Sequence, residues 1–229
     1  SMASTFNYEG KTHLNLPNPM SIDKSVLRTS LIPSMLNVYN YNKARKVNDM
    51  FLYEISKTYD VNFEEESKIA ILMKGNYILN EATKVNVKCD FYLIKGILEN
   101  LLNYLGFADR YHFVKGEVAS MHPKRSAKIY LDDTFLGVIG EVHPSLCKEE
   151  IYVCEISLNK LMREIKPLKY VAASIYPEIV KDVAFVVAKN LPVEEIMAEI
   201  KKAGKEILTN ISIFDVYTGP NMLESEKSV

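Results

Sequence analysis

Apolar residues return every three or four positions from Leu31 to Tyr39, a period that predicts an amphipathic helix beginning near Thr29. Ile32, Leu36 and Tyr39 share one face, with Leu31, Met35 and Val38 beside them. Thr29 or Ser30 is expected to cap this helix, and Pro33 falls in its first turn, where a missing N–H costs nothing. Ahead of it, Pro17 and Pro19 hold their preceding residues extended. Residues 1–17 read as an arm with one short strand around His13–Leu16, opened by Ser1-Met2, which looks like the remnant of a cleaved tag.

Downstream the period changes to two. Met50–Ser56 sets Phe51, Tyr53 and Ile55 against Leu52 and Glu54, and reads as a strand buried on both faces or nearly so. Glu64-Glu65-Glu66 is expected as a solvated loop, and Lys68–Lys74 as the next strand. Asp90 should cap the clearest helix of the chain, Phe91–Leu105, whose apolar face holds Ile94, Ile97, Leu98, Leu101, Leu102 and Leu105; Gly106 should end it in the left-handed conformation. Ala127–Leu131 and Phe135–Val142 flank Asp132-Asp133-Thr134 as a hairpin. Ile151–Ile156 is a further strand, and Leu158–Ile165 a short helix stopped by Pro167.

A domain boundary is placed near Pro167. Beyond it, Asp182–Ala188 reads as a strand rich in β-branched residues. A helix follows, with Pro192 in its first turn, Glu194 and Glu195 near its start, and Lys201, Lys202 and Lys205 near its end, an order that suits the macrodipole. Ile211–Tyr217 is expected as the next strand and Gly219-Pro220 as a turn. The chain stops at Val229, where a third strand would only be starting, so this β-α-β unit is read as incomplete.

Composition narrows the function classes. Hydrophobic residues make up 48% and charged residues 25% of 229, ordinary for a globular protein, and a formal net charge of −1 provides no global field for nucleic acid or an anionic membrane. The apolar runs are too short to span a membrane, and no stretch has signal-peptide character. Cys89, Cys147 and Cys154 form an odd set without C-x-x-C spacing, as expected of free thiols in the cytosol. His122, Glu141, His143 and Cys147 are the residues a metal or acid–base site would use, and Glu141 and His143 share a strand face. No third partner has motif spacing, however, and His-Pro pairs commonly mark turns. Gly-x-Ser-x-Gly, Walker-type and dinucleotide-binding glycine patterns are all missing.

Eight segments in a fixed order carry a resemblance. They are Asn18-Pro19-Met20-Ser21 with Leu27-Arg28-Thr29-Ser30-Leu31-Ile32-Pro33; Phe51–Ile55; Asp90–Gly96; His122–Ala127; Gly137–Pro144; Tyr176-Pro177 with Lys181-Asp182; Phe214–Gly219; and Lys227-Ser228. Together they resemble the C-terminal part of the β subunit of bacterial phenylalanyl-tRNA synthetase. The resemblance implies an α+β fold: a class II synthetase-like antiparallel sheet with flanking helices over 18–166, then an incomplete ferredoxin-like anticodon-binding domain over 168–229. It also implies a catalytic α subunit as partner in an (αβ)₂ heterotetramer, phenylalanine tRNA as ligand, a cytoplasmic setting, and ATP with Mg²⁺ as needs of the complete enzyme. A free-standing RNA-binding module and a metal-dependent hydrolase stay open as alternatives.

Departures from the catalytic pattern are informative. Class II chemistry needs cations to grip ATP phosphates, yet the strand placed like motif 2, Phe51–Ser56, has no basic residue. Cys154-Glu155-Ile156-Ser157-Leu158 stands where motif 3 would offer glycines and arginine, and only Arg163 follows. The resemblance therefore implies no catalytic residue, cofactor or metal ligand in this chain. It implies a subunit interface involving Arg28, Met35, Val38 and Tyr39, and tRNA contacts from Lys181, Phe214 and Tyr217. Residues 168–229 carry seven lysines against nine carboxylates, a net −2, which leaves that half without a basic footprint.

Overall fold

The computed structural model describes residues 13–20, 25–165, 175–219 and 222–229. Two compact units result, Ser1–Lys169 and Tyr170–Val229. The tag remnant, Pro167 and Pro220 lie outside the described residues. At the start, the strand expected around His13–Leu16 is reduced to a single bridge between Asn15 and Val26.

The first unit is built on a six-stranded antiparallel sheet in the order β1 (Met50–Tyr59), β2 (Glu65–Lys74), β8 (Tyr152–Ser157), β7 (Thr134–Val142), β6 (Met121–Leu131) and β5 (Tyr111–Lys115). A separate hairpin, β3 (Asn76–Asn80) with β4 (Val85–Lys88), leaves the sheet after β2. Alternation along the central strands feeds two cores on opposite faces. Ala70, Leu72, Val138 and Val153 join Leu31, Ile32, Met35, Leu36 and Tyr39 of the first helical segment. Met73, Ile139, Cys154 and Ile156 join Ile94, Leu98 and Leu102 on the other face, with Leu161. The central strand β8 is buried along its whole length.

Gly137 shows how tightly the middle of the sheet is built. A Cβ there would sit 2.0 Å from the Glu155 carbonyl oxygen of β8, so only glycine fits. On the cysteines, burial pushes the Cys89 thiol up to about 11 and raises that of Cys154 as well. All three cysteines are free thiols.

Helix α2 (Phe91–Tyr104) follows its local signals: Asp90 Oδ1 accepts the Leu93 N–H at 2.7 Å, and Gly106 has φ +85°. Leu105, expected on its apolar face, is exposed, because the helix has already ended there. Helix α3 (Leu158–Arg163) is capped by Ser157 and stops two residues short of the expected Ile165. Arg110 binds the Asp132 carboxylate in the β6–β7 turn and the Glu164 carbonyl after α3, tying three connections together.

Three expectations for this unit are corrected. β1 is an edge strand, and its Phe51, Tyr53 and Ile55 face is exposed rather than buried; only the Leu52 side meets a core. Glu65 and Glu66 belong to β2 and only Glu64 stays in the loop. Helix α1 (Ile32–Lys43) has Leu31 rather than Thr29 or Ser30 at its cap position, although Ser30 Oγ does accept the Ile32 N–H at 3.2 Å. The Leu31 N–H is taken by Glu155, from β8.

In the second unit, β9 (Val186–Ala188) pairs antiparallel with β10 (Glu226–Ser228), and α4 (Val193–Gly204) stands between them in the chain. The expected strand Asp182–Ala188 is thus cut to its last three residues. The strand expected over Ile211–Tyr217 is reduced to one bridge from Tyr217 to Ser228. The residues just before Val229 pair with β9 as the three-residue β10. Local β propensity fails here because a strand needs a ladder partner and a packed face, and no described residue of this unit is buried.

Candidate functional site

The resemblance directs attention to the foot of α1, where β1, β2 and β8 meet it. Arg28 enters this region from the preceding loop. Its Nη1 donates to Glu54 Oε1 at 2.7 Å and to Ser34 Oγ at 3.2 Å, Nη2 donates to Ser56 Oγ, and Nε donates to the Lys57 carbonyl at 3.2 Å. The fork of the guanidinium is therefore spread over β1 and the first turn of α1 within one chain.

Deeper in, Lys68 on β2 and Glu155 on β8 are both buried, and Lys68 Nζ lies 3.2 Å from Glu155 Oε1. Lys68 also donates to the Thr29 carbonyl at 3.1 Å. Glu155 Oε2 accepts from Ser30 Oγ at 2.9 Å and from the Leu31 N–H at 2.6 Å. Sequence reasoning noted Glu155 and missed its role, although a lone charge in the otherwise apolar strand Tyr152–Ser157 is an available signal; Lys68 shares β2 with Glu65, Glu66 and Lys74 and carries no such signal. Buried charges are retained only when paired and hydrogen-bonded.

The expected interface residues separate into two groups. Met35 is 2% and Tyr39 1% exposed, so both are spent in the core of this chain. Val38 is 46% exposed, and Arg28 is partly accessible. The Tyr39 hydroxyl donates to Glu149 Oε2 at 2.8 Å, while Lys43 and Lys74 also pair with Glu149. Hydrogen bonds from Lys43, Lys74 and Tyr39 hold the Glu149 carboxyl at about 2, and burial raises the Tyr39 hydroxyl.

The metal-type residues serve as turn and strand fittings. His122 Nδ1 accepts the Lys124 N–H at 3.1 Å, His143 Nδ1 accepts the Ser145 N–H at 3.1 Å, and Glu141 pairs with Arg125 at 2.6 Å. Among the described residues no three His, Cys, Asp or Glu side chains are grouped to hold a metal. In the second unit, Lys181 is exposed, Phe214 is 79% exposed, and Tyr217 is tied through its backbone to Ser228.

A feature outside the sequence reading is the apolar surface at the β1 edge. Phe51 meets Tyr77 of β3 edge to face, with ring centroids 5.7 Å apart, beside exposed Tyr53 and Ile55. Among the described residues no helix is long and apolar enough to cross a membrane.

These features define a two-unit α+β protein whose larger part is an antiparallel sheet clad by helices on both faces. Residues 2–158 match the family model of the phenylalanyl tRNA synthetase beta chain CLM domain, and the chain belongs to that family. Residues 174–229 match the ferredoxin-fold anticodon binding domain. Relatives include the phenylalanine–tRNA ligase beta subunits of Bacillus subtilis, 36% identical, and of Geobacillus kaustophilus, 34% identical, each alignment covering 99% of this chain. That of Carboxydothermus hydrogenoformans is 33% identical over 93% of it. The chain spans about 30% of the length of these relatives.

Proposed function

We propose that this chain is the non-catalytic, structural and tRNA-binding part of a phenylalanine–tRNA ligase, the ATP-dependent enzyme that attaches phenylalanine to its tRNA. Residues 18–166 act as an inactive class II-like module that packs on the α subunit of an (αβ)₂ heterotetramer in the cytoplasm. Residues 168–229 supply the start of the anticodon-binding domain, with Lys181, Phe214 and Tyr217 toward phenylalanine tRNA. ATP and Mg²⁺ belong to the complete enzyme.

The observation that carries this reading is the internal use of charge at the foot of α1. Phosphate binding needs cations whose donors point outward at the ligand. Arg28 directs its donors to Glu54, Ser34, Ser56 and Lys57, and Lys68 pairs with buried Glu155. Glu54 and Glu155 add negative charge where a triphosphate would need the opposite. The residues present do not fit ATP with its Mg²⁺, and no chemical step is assigned to them. Isothermal titration calorimetry of the chain with Mg²⁺-ATP is expected to give no saturable heat; a stoichiometric isotherm would overturn the reading.

A further inference from the structure

The environment of Glu155 is that of a bound carboxylate. One oxygen takes a hydroxyl hydrogen from Ser30 and the amide hydrogen of Leu31; the other faces Lys68 Nζ at 3.2 Å. All of these groups are buried. Three different elements supply the donors: the start of α1, its preceding loop and β2. The helix N-terminus does not make this site alone, because the buried ammonium of Lys68 provides a full charge. Glu66 Oε2 stands 3.7 Å from the same ammonium and accounts for a second, weaker contact.

We propose that Ser30 Oγ, the Leu31 N–H and Lys68 Nζ form a small-carboxylate binding site that Glu155 fills as a tethered ligand, and that the site accepts free acetate once Glu155 is shortened. Glu155→Ala keeps Cβ and removes a CH₂ and a carboxylate, which together correspond to acetate. Binding is non-covalent: the acetate oxygens take the same hydroxyl, amide and ammonium donors. Formate leaves a methyl-sized void, and propionate carries one carbon too many for a close-packed site. The inference stands on the geometry of this cluster and goes beyond the proposed function.

The test is thermal unfolding of the 229-residue chain by circular dichroism at pH 7, in sodium acetate against sodium chloride of equal ionic strength. Glu155→Ala is expected to melt below the wild-type chain in chloride. Acetate at about ten times its Kd is then expected to raise that midpoint by about 3–6 °C, along a saturable curve. Formate and propionate should raise it less, and sulfate should act only as a general stabilising salt. The wild-type chain, whose site is filled, and Glu155→Ala/Lys68→Met, which lacks the cation, should show only the salt effect common to all. Equal responses of the single and double variants to acetate would overturn the proposal. If Glu155→Ala is unfolded in chloride, recovery of its helical signal and a cooperative melt in acetate support the site, and failure to recover overturns it.

Discussion

At the residue scale, Glu149 is a carboxylate near the surface with three partners. Tyr39 and Lys43 of α1 and Lys74 of β2 converge on it, and Cys147 lies nearby in the same loop. Its carboxyl is lowered from 4.5 to about 2. A lowered carboxyl stabilises the fold fully above its unfolded value and loses that contribution as pH falls through the folded one. Glu149→Gln is therefore expected to melt below the wild-type chain at pH 7, with the difference closing between pH 4.5 and about 2. Melting curves of both proteins over that range check this. Glu141 makes a comparable choice with Arg125, which is why a residue placed well for metal binding serves as an ion-pair partner instead.

Elements differ in how far their own residues account for them. Helix α2 has a complete set of local signals, with the Asp90 cap, a buried stripe and Gly106 beyond the end. Asp90→Ala should cost about 1 kcal/mol and Leu98→Ala about 2–5 kcal/mol in urea unfolding, the first by orphaning the Leu93 amide and the second by opening a cavity. Helix α1 carries a wider apolar stripe, and the sheet absorbs most of it. A charge at Met35 or Tyr39 would thus test folding, whereas one at Val38 tests a partner surface. Val38→Glu is expected to leave the melting temperature within about 2 °C while weakening retention by the α subunit in a pull-down. Unchanged retention would remove Val38 from the interface.

Across the whole molecule the two units differ in kind. The first has two buried cores around one sheet, whereas the described residues of the second include none that is buried. Amides of β9, α4 and β10 should accordingly exchange with deuterium at least tenfold faster than those of β7 and β8, as hydrogen-exchange mass spectrometry would read. The second unit, Tyr170–Val229, also carries six lysines against nine carboxylates, a net −3. Filter binding of phenylalanine tRNA to this chain is therefore expected to give a Kd weaker than about 1 μM at physiological salt, roughly −8 kcal/mol. Tighter binding would place enough phosphate contacts in this chain to contradict the charge argument.

The legible parts of the chain were those whose signals are local. Asp90, Gly106 and the Ile94–Leu102 stripe announced α2, the Asp132-Asp133 turn announced β6–β7, and the apolar run Ile151–Ile156 announced β8. The β3–β4 hairpin is absent from the sequence reading; it pairs apart from the main sheet, and its Tyr77, Ile78 and Leu79 are exposed. Of the expected interface residues, Arg28 and Val38 remain at the surface of this chain, while Met35 and Tyr39 do not.

By itself, then, the sequence determined which segments turn into helices and central strands, because caps, turn residues and hydrophobic period act over a few positions. The tertiary structure decided that β1 is an edge, that Asp182–Ala188 is mostly not strand, and that Glu155, 124 residues beyond Leu31, completes the start of α1. Edges, ladder partners and buried ion pairs are relations between distant segments, and only their meeting in space fixes what each charged or apolar side chain is for.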